Sequence, residues 1–170
     1  MKSFKINKTI LWLNIIIFIL LLIFTFNEIN RASKTHTILL FIMLCISLYM
    51  VILSIVRKVV ITDDEIIVKQ LFKSSSININ NINYGYTISA IGRYGLLLSD
   101  GHNVVMITSL IDGFYEILES LLNKIPNESK EKFHVINNST LKRKYITYAF
   151  ILTLVSAMIL YGIIKSYNIF

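Results

Sequence analysis

Residues 57–126 read RKVVITDDEIIVKQLFKSSSININNINYGYTISAIGRYGLLLSDGHNVVMITSLIDGFYEILESLLNKIP, and the spacing of their apolar positions decides the fold. VVIT (59–62) and IIVKQLF (66–72) are β-branched runs on either side of Asp63-Asp64-Glu65, which predicts a hairpin with an acidic tip. Ile77 and Ile79 share a face, and Tyr84, Tyr86, Ile88 and Ala90 continue at period two. Asn80-Asn81 breaks the phase between them and predicts a bulge or short turn. Gly92 and Gly95 bracket Arg93-Tyr94 in a further turn, and GLLLSDGHNVVMI predicts a hairpin closed by a type I′ turn at Asp100-Gly101. The period then changes. Phe114, Ile117, Leu118, Leu121, Leu122 and Ile125 form one stripe, while Glu116, Glu119, Asn123 and Lys124 take the other side, so an amphipathic helix packs on the sheet. Asp112 is expected to cap that helix and Pro126 to stop it.

Outside this stretch the chain is of another kind. Its 170 residues are 55% apolar and 16% charged, too apolar for a soluble domain. Uncharged runs at 9–27, 37–56 and 145–164 match the hydrocarbon thickness of a bilayer at about 1.5 Å per residue, and predict three spanning helices. The first follows Lys2, Lys5 and Lys8 but is long and lacks a small-residue cleavage site, so it reads as an uncleaved anchor. Only a short polar link, 28–36, separates it from the second, and the two form a hairpin. Arg57, Lys58, Lys142, Arg143 and Lys144 fall on the same side as the N-terminal lysines, against Arg31 and Lys34. By the positive-inside rule the N-terminus and the central domain are cytoplasmic and the C-terminal tail is outside. The expected layout is therefore an N-terminal segment and membrane hairpin (1–56), a β-rich domain (57–126), a linker with a basic cluster (127–144), and a third span with an external tail (145–170).

The formal charge of +7 is accounted for by these juxtamembrane residues rather than by nucleic acid. The single cysteine, Cys45, sits in an apolar run as a filler. His36, His102 and His134 lie in a membrane boundary, a turn and a linker, without the spacing of a metal or nucleophile motif. No catalytic residue, cofactor or metal is expected. Gly92-Arg93-Tyr94-Gly95 lacks the strand, loop and helix context of a phosphate cradle. Asn14 and Ser47 are polar groups inside spans and read as interhelical contacts, and Thr153 with Ala157 permits close helix packing onto the first two spans or onto a second copy. Lys69, Lys73 and Arg93 are the candidate surface contacts, able to face anionic headgroups at about 1 kcal/mol per charge.

ITDDEIIVKQ, SININNI, YGLLLSDGHNVVMI and DGFYEILESLLNKI, set between spans, resemble the pattern of bacterial pleckstrin-homology-like (PH-like) domains in small integral membrane proteins. The resemblance implies an α+β membrane protein of the bacterial inner membrane. Its three transmembrane helices would carry a cytoplasmic PH-like β-barrel or sandwich capped by one C-terminal amphipathic helix. It implies non-enzymatic binding at the membrane surface, with the lipid bilayer and a membrane protein or peptide as partners. Immunity against a membrane-active peptide, or service as an accessory subunit of a membrane complex, are the alternatives. One departure stands out: Asp63, Asp64 and Glu65 occupy the hairpin tip where lipid-binding relatives place cations, and three carboxylates repel a phosphate.

Overall fold

A computed structural model of the chain describes residues 1–29, 33–90, 93–122 and 138–167. The architecture is α+β, with four helices and two small antiparallel sheets among these residues. The chain divides into two compact units. One comprises Met1–Asn7 and Val56–Tyr148, the other Lys8–Ile55 and the chain from Ala149 onward.

The first unit holds both sheets. Strands β1 (Lys2–Lys5), β2 (Lys58–Ile61), β3 (Glu65–Lys69) and β4 (Ser74–Asn78) form one sheet in that order. Strands β5 (Tyr84–Ala90), β6 (Arg93–Ser99) and β7 (Val104–Thr108) form the other. The domain expected over 57–126 thus takes its first strand from the far N-terminus, with Phe4 opposite Val59 and Ser3 opposite Val60. Because β1 pairs with β2, the two ends of the membrane hairpin must lie on one side of any bilayer it crosses. The expected Asp63-Asp64-Glu65 hairpin forms: Thr62 N–H donates to the Glu65 carbonyl (2.9 Å) and Glu65 N–H to Thr62 Oγ1 (2.9 Å). It joins β2 to β3, so it is the second hairpin of the sheet. The phase break at Asn80-Asn81 is a 3-10 turn, Ile79–Asn81, capped by the Asn78 side chain, which accepts from Asn80 N–H.

Alternation decides what each strand buries. Val59, Ile66, Val68 and Ile77 of the first sheet and Leu96, Leu98, Val105 and Ile107 of the second are all 1% exposed or less. At about 1.5–3 kcal/mol for each fully buried aliphatic side chain, this shared core is the main source of stability. Helix α3 (Phe114–Leu122) adds Phe114, Ile117, Leu118 and Leu121 and turns Glu116 and Glu119 to water, as its stripe predicts. The expected stop at Pro126, Asn123, Lys124 and Ile125 of the helix stripe, the 127–137 part of the linker with His134, and Gly92 lie outside the described residues, as do Arg31 and the last three residues of the tail; Arg93-Tyr94-Gly95, expected in a turn, instead lie in β6 and pair with β5.

Two turn expectations are corrected. At the β6–β7 hairpin the only positive φ is that of Gly101, at +90°, whereas a type I′ turn needs two. Asp100 and Asn103 flank a Gly101-His102 pair, with positive φ at its first residue as in a type II′ turn. The Asp100 carboxylate sets this geometry by accepting from the N–H groups of His102 (2.9 Å) and Asn103 (2.6 Å), bonds that also hold its pKa below the ordinary value. Gly101→Val forces a branched residue into that φ and is expected to cost about 1–3 kcal/mol; an unchanged thermal midpoint of the purified protein would rule out this turn. At α3, Asp112 does not cap the helix. Its carboxylate accepts from the Asn7 side-chain amide and its N–H donates to the Lys5 carbonyl, while Gly113, at φ +73°, supplies the carbonyl that receives Ile117 N–H.

The second unit is helical. Helices α1 (Lys8–Glu28), α2 (Lys34–Val56) and α4 (Asn138–Tyr167) are each long and apolar enough to cross a membrane, which is compatible with a multi-pass membrane protein. Helix α4 begins before its apolar run, so the basic residues 142–144, expected in a linker, are helical. Asn14 is the interhelical contact expected of it, donating to Ser54 Oγ across α1 and α2 (2.9 Å). Ser47 instead donates to Leu44 O of its own helix (2.9 Å). Gly162 of α4 lies against the Phe24 ring of α1, while Thr153 and Ala157 stay exposed.

Candidate functional site

The pairing register of the first sheet brings together side chains that are far apart in sequence. Lys5 stands opposite Lys58, Lys58 opposite Lys69, and Lys69 opposite Ser74. Directly opposed residues of an antiparallel pair share a face with Cβ atoms about 4.5–5.5 Å apart, and like charges at that spacing destabilise the sheet. The sheet nevertheless carries three lysines in one row. Lys5 and Lys69 are exposed and Lys58 is half-buried. Among the described residues no carboxylate forms an ion pair with any of them.

The adjoining turn adds an apolar group. The run 66–72 is expected to be one strand, but Gln70 N–H donates to the Lys73 carbonyl (2.9 Å), so β3 ends at Lys69 and the chain reverses. Phe72 is thereby expelled from the sheet into the turn, where it is 89% exposed between Lys69 and Lys73. At the opposite end of the same strands stand Asp63, Asp64 and Glu65, all exposed. The sheet therefore has a basic end carrying an exposed aromatic ring and an acidic end without one.

Of the three candidate residues, Lys69 and Lys73 belong to this end. Arg93 does not; it opens β6 in the second sheet, near Arg57. The Arg57 guanidinium donates to the Met106 carbonyl at the β7 edge (3.1 Å), and its Nε is buried with no hydrogen-bond partner. Burial, and then the Arg93 charge, hold the Arg57 pKa below its ordinary value. Lys144 is tied to the second sheet as well, donating to Ser89 Oγ (2.7 Å) and lying 4.8 Å above the Tyr94 ring. Phe72 escaped the sequence reading because it continues an apolar run. Lys5 and Lys58 were legible only as topological charges, since a row across three strands is a property of register. Among the described residues no group of three or more His, Cys, Asp or Glu side chains could hold a metal ion.

The chain matches no protein-family model, no curated protein and no solved structure.

Proposed function

We propose that the first unit is a PH-like, non-enzymatic module that works on the cytoplasmic face of the membrane and binds anionic lipid headgroups there. The observation that carries this reading is the basic end of the first sheet, with Lys5, Lys58, Lys69 and Lys73 beside an exposed Phe72. Cations that attract anionic headgroups, together with an aromatic ring that enters the interface, are the composition of a peripheral membrane contact. Chain connectivity agrees. Lys5 precedes the first residue of α1, Lys8, by three positions, and Lys58 follows the last residue of α2, Val56, by two. The row is therefore within about 10 Å of chain from the ends of both spans. Four strands, then three, then one helix is also the order of a PH-like domain, with the membrane hairpin inserted between β1 and β2. In that order the acidic turn falls at the end away from the lysine row, so it does not oppose headgroup binding. The cytoplasmic side follows from the excess of Lys and Arg flanking the spans on the domain side.

A single-tryptophan protein tests this, since Trp12 is the only native one. Trp12→Phe with Phe72→Trp, reconstituted whole in nanodiscs, should show blue-shifted emission when phosphatidylglycerol is added to phosphatidylcholine. Raised salt should reverse the shift, because screening acts on exposed charges. Lys58→Glu with Lys69→Glu should abolish it. Emission that ignores lipid charge would refute the proposal.

A further inference from the structure

We propose that a cleft at the start of α3 binds the phosphoethanolamine headgroup of an aminophospholipid, with the ammonium on Asp112 and Glu116 and the phosphate on Lys142. This goes beyond the anionic contact of the lysine row and uses another part of the first unit. The cleft has a volume of about 390 Å³, within the roughly 300–1,000 Å³ of small-molecule sites. Its walls come from three stretches of sequence: Asn7, residues between Ser109 and Glu116, and residues between Asn138 and Tyr145 at the beginning of α4. Hydrogen bonds fasten these walls together. The Asn7 side-chain amide donates to Asp112 Oδ1, Tyr145 Oη donates to the Asn7 side-chain oxygen (2.6 Å), and Asp112 N–H donates to the Lys5 carbonyl (2.8 Å). Asn7 thus orients the Asp112 carboxylate through one oxygen. The other has no partner among the described residues and is left to accept from a ligand.

The ligand class follows from the charges on these walls. Asp112, Glu116 and Lys142 are all exposed, and among the described residues Lys142 makes no ion pair with either carboxylate. A site that holds both signs unpaired suits a ligand that carries both. A purely anionic headgroup would meet two carboxylates and bring nothing to satisfy them. A quaternary choline has the right charges but no N–H, whereas a primary ammonium offers three donors to carboxylate oxygens. The source is lipid because of where the walls lead. Asn7 immediately precedes α1, and Tyr145 is the first residue of the uncharged run 145–164 in α4. Two of the three walls therefore continue directly into helices able to span a membrane, which by chain connectivity sets the cleft at headgroup depth. Lys142 and Tyr145, three positions apart on α4, share a helix face. A phosphate held by the lysine then has beside it an interfacial tyrosine from which the acyl chains can run into the bilayer.

The test uses the full chain, purified in non-ionic detergent and offered equal amounts of phosphatidylethanolamine and phosphatidylcholine with the same acyl chains, the retained lipid being counted by native mass spectrometry. Both lipids are zwitterionic, so the lysine row does not choose between them. Phosphatidylethanolamine should be retained about tenfold over phosphatidylcholine, the effect of one charge-assisted hydrogen bond. Glu116→Gln should bring the two lipids close to parity, and Lys142→Met should lower retention of both. Asp112→Asn should act like Glu116→Gln; because Asp112 is bonded to Asn7 and Glu116 has no partner among the described residues, the Glu116 variant decides the matter even if the Asp112 variant fails to fold. Lys58→Glu with Lys69→Glu should leave the preference unchanged, so this proposal and the lysine-row reading fail separately. Equal retention of the two lipids, a preference indifferent to Glu116→Gln, or retention indifferent to Lys142→Met would each overturn the proposal. Displacement of the lipid by an equal concentration of soluble O-phosphoethanolamine would overturn it in favour of a soluble zwitterion.

Discussion

Gly113→Ala is expected to destabilise the β-rich unit by about 2–5 kcal/mol, the sum of a left-handed backbone penalty and a packing clash. Gly113 has φ +73°, and a Cβ built on it would stand 2.7 Å from a ring carbon of Phe4. Ring atoms of a side chain fixed in a strand cannot slide aside as a flexible chain end does. The clash falls on β1, so the variant should lose hydrogen-exchange protection first in the Lys2–Lys5 and Lys58–Ile61 amides. A double-mutant cycle separates the two causes. In a Phe4→Ala background the same substitution should cost only the backbone part, about 1–2 kcal/mol. Equal costs in both backgrounds would mean that Phe4 does not pack on Gly113, and that the N-terminal strand is not a fixed part of the domain.

Periodicity made β2, β3, β4, the β6–β7 hairpin, α3 and the three spans legible, because each depends on which residues alternate or recur along a continuous stretch. β1 was not legible. Lys2–Lys5 is four residues long, half of them lysine, and its partner lies beyond two membrane helices, so nothing local marks it as a strand. Asn7 shows the same limit. Its N–H donates to the Leu110 carbonyl, its side-chain amide donates to Asp112 and its side-chain oxygen accepts from Tyr145 Oη (2.6 Å), fastening the N-terminus to two distant segments. An asparagine beside a basic run carries no sign of such a role.

The candidate surfaces were legible in part, for a related reason. Alternation shows which residues share a face but not which face meets water. Tyr84, Tyr86 and Ile88 share a face as read, yet it is the outer one. On the core side β5 presents Gly85, Thr87 and Ser89, which face Leu98, Leu96 and Tyr94 of β6 across the ladder. The larger side chains of β6 fill the space that β5 leaves. Among Lys69, Lys73 and Arg93, the charge count alone could not separate two surfaces. The register assigns the lysines to one sheet and the arginine to the other.

The all-or-none prediction concerns membrane sidedness, and it rests on pairing as well as charge. β1 and β2 hydrogen-bond along four residue pairs, so the segments before α1 and after α2 must share a compartment, and α1 with α2 must cross an even number of times. Arg57, Lys58, Lys142, Arg143 and Lys144 belong to this same unit, so the positive-inside rule predicts that its side is the cytoplasmic one. Single cysteines in a Cys45→Ala background read this out in intact cells with a membrane-impermeant maleimide. Exposed positions are needed, which excludes Ser166, buried and bonded to the Ile163 carbonyl. Ser33→Cys, before α2, and Lys165→Cys, near the end of α4, should label from outside, whereas Asn103→Cys in the β6–β7 turn should label only after the cells are opened. Labelling of Asn103→Cys in intact cells would invert the orientation and remove the cytoplasmic headgroups from reach of the lysine row. Labelling of Ser33→Cys together with a silent Lys165→Cys would instead mean that α4 does not cross, leaving the β-rich unit tethered by one hairpin alone.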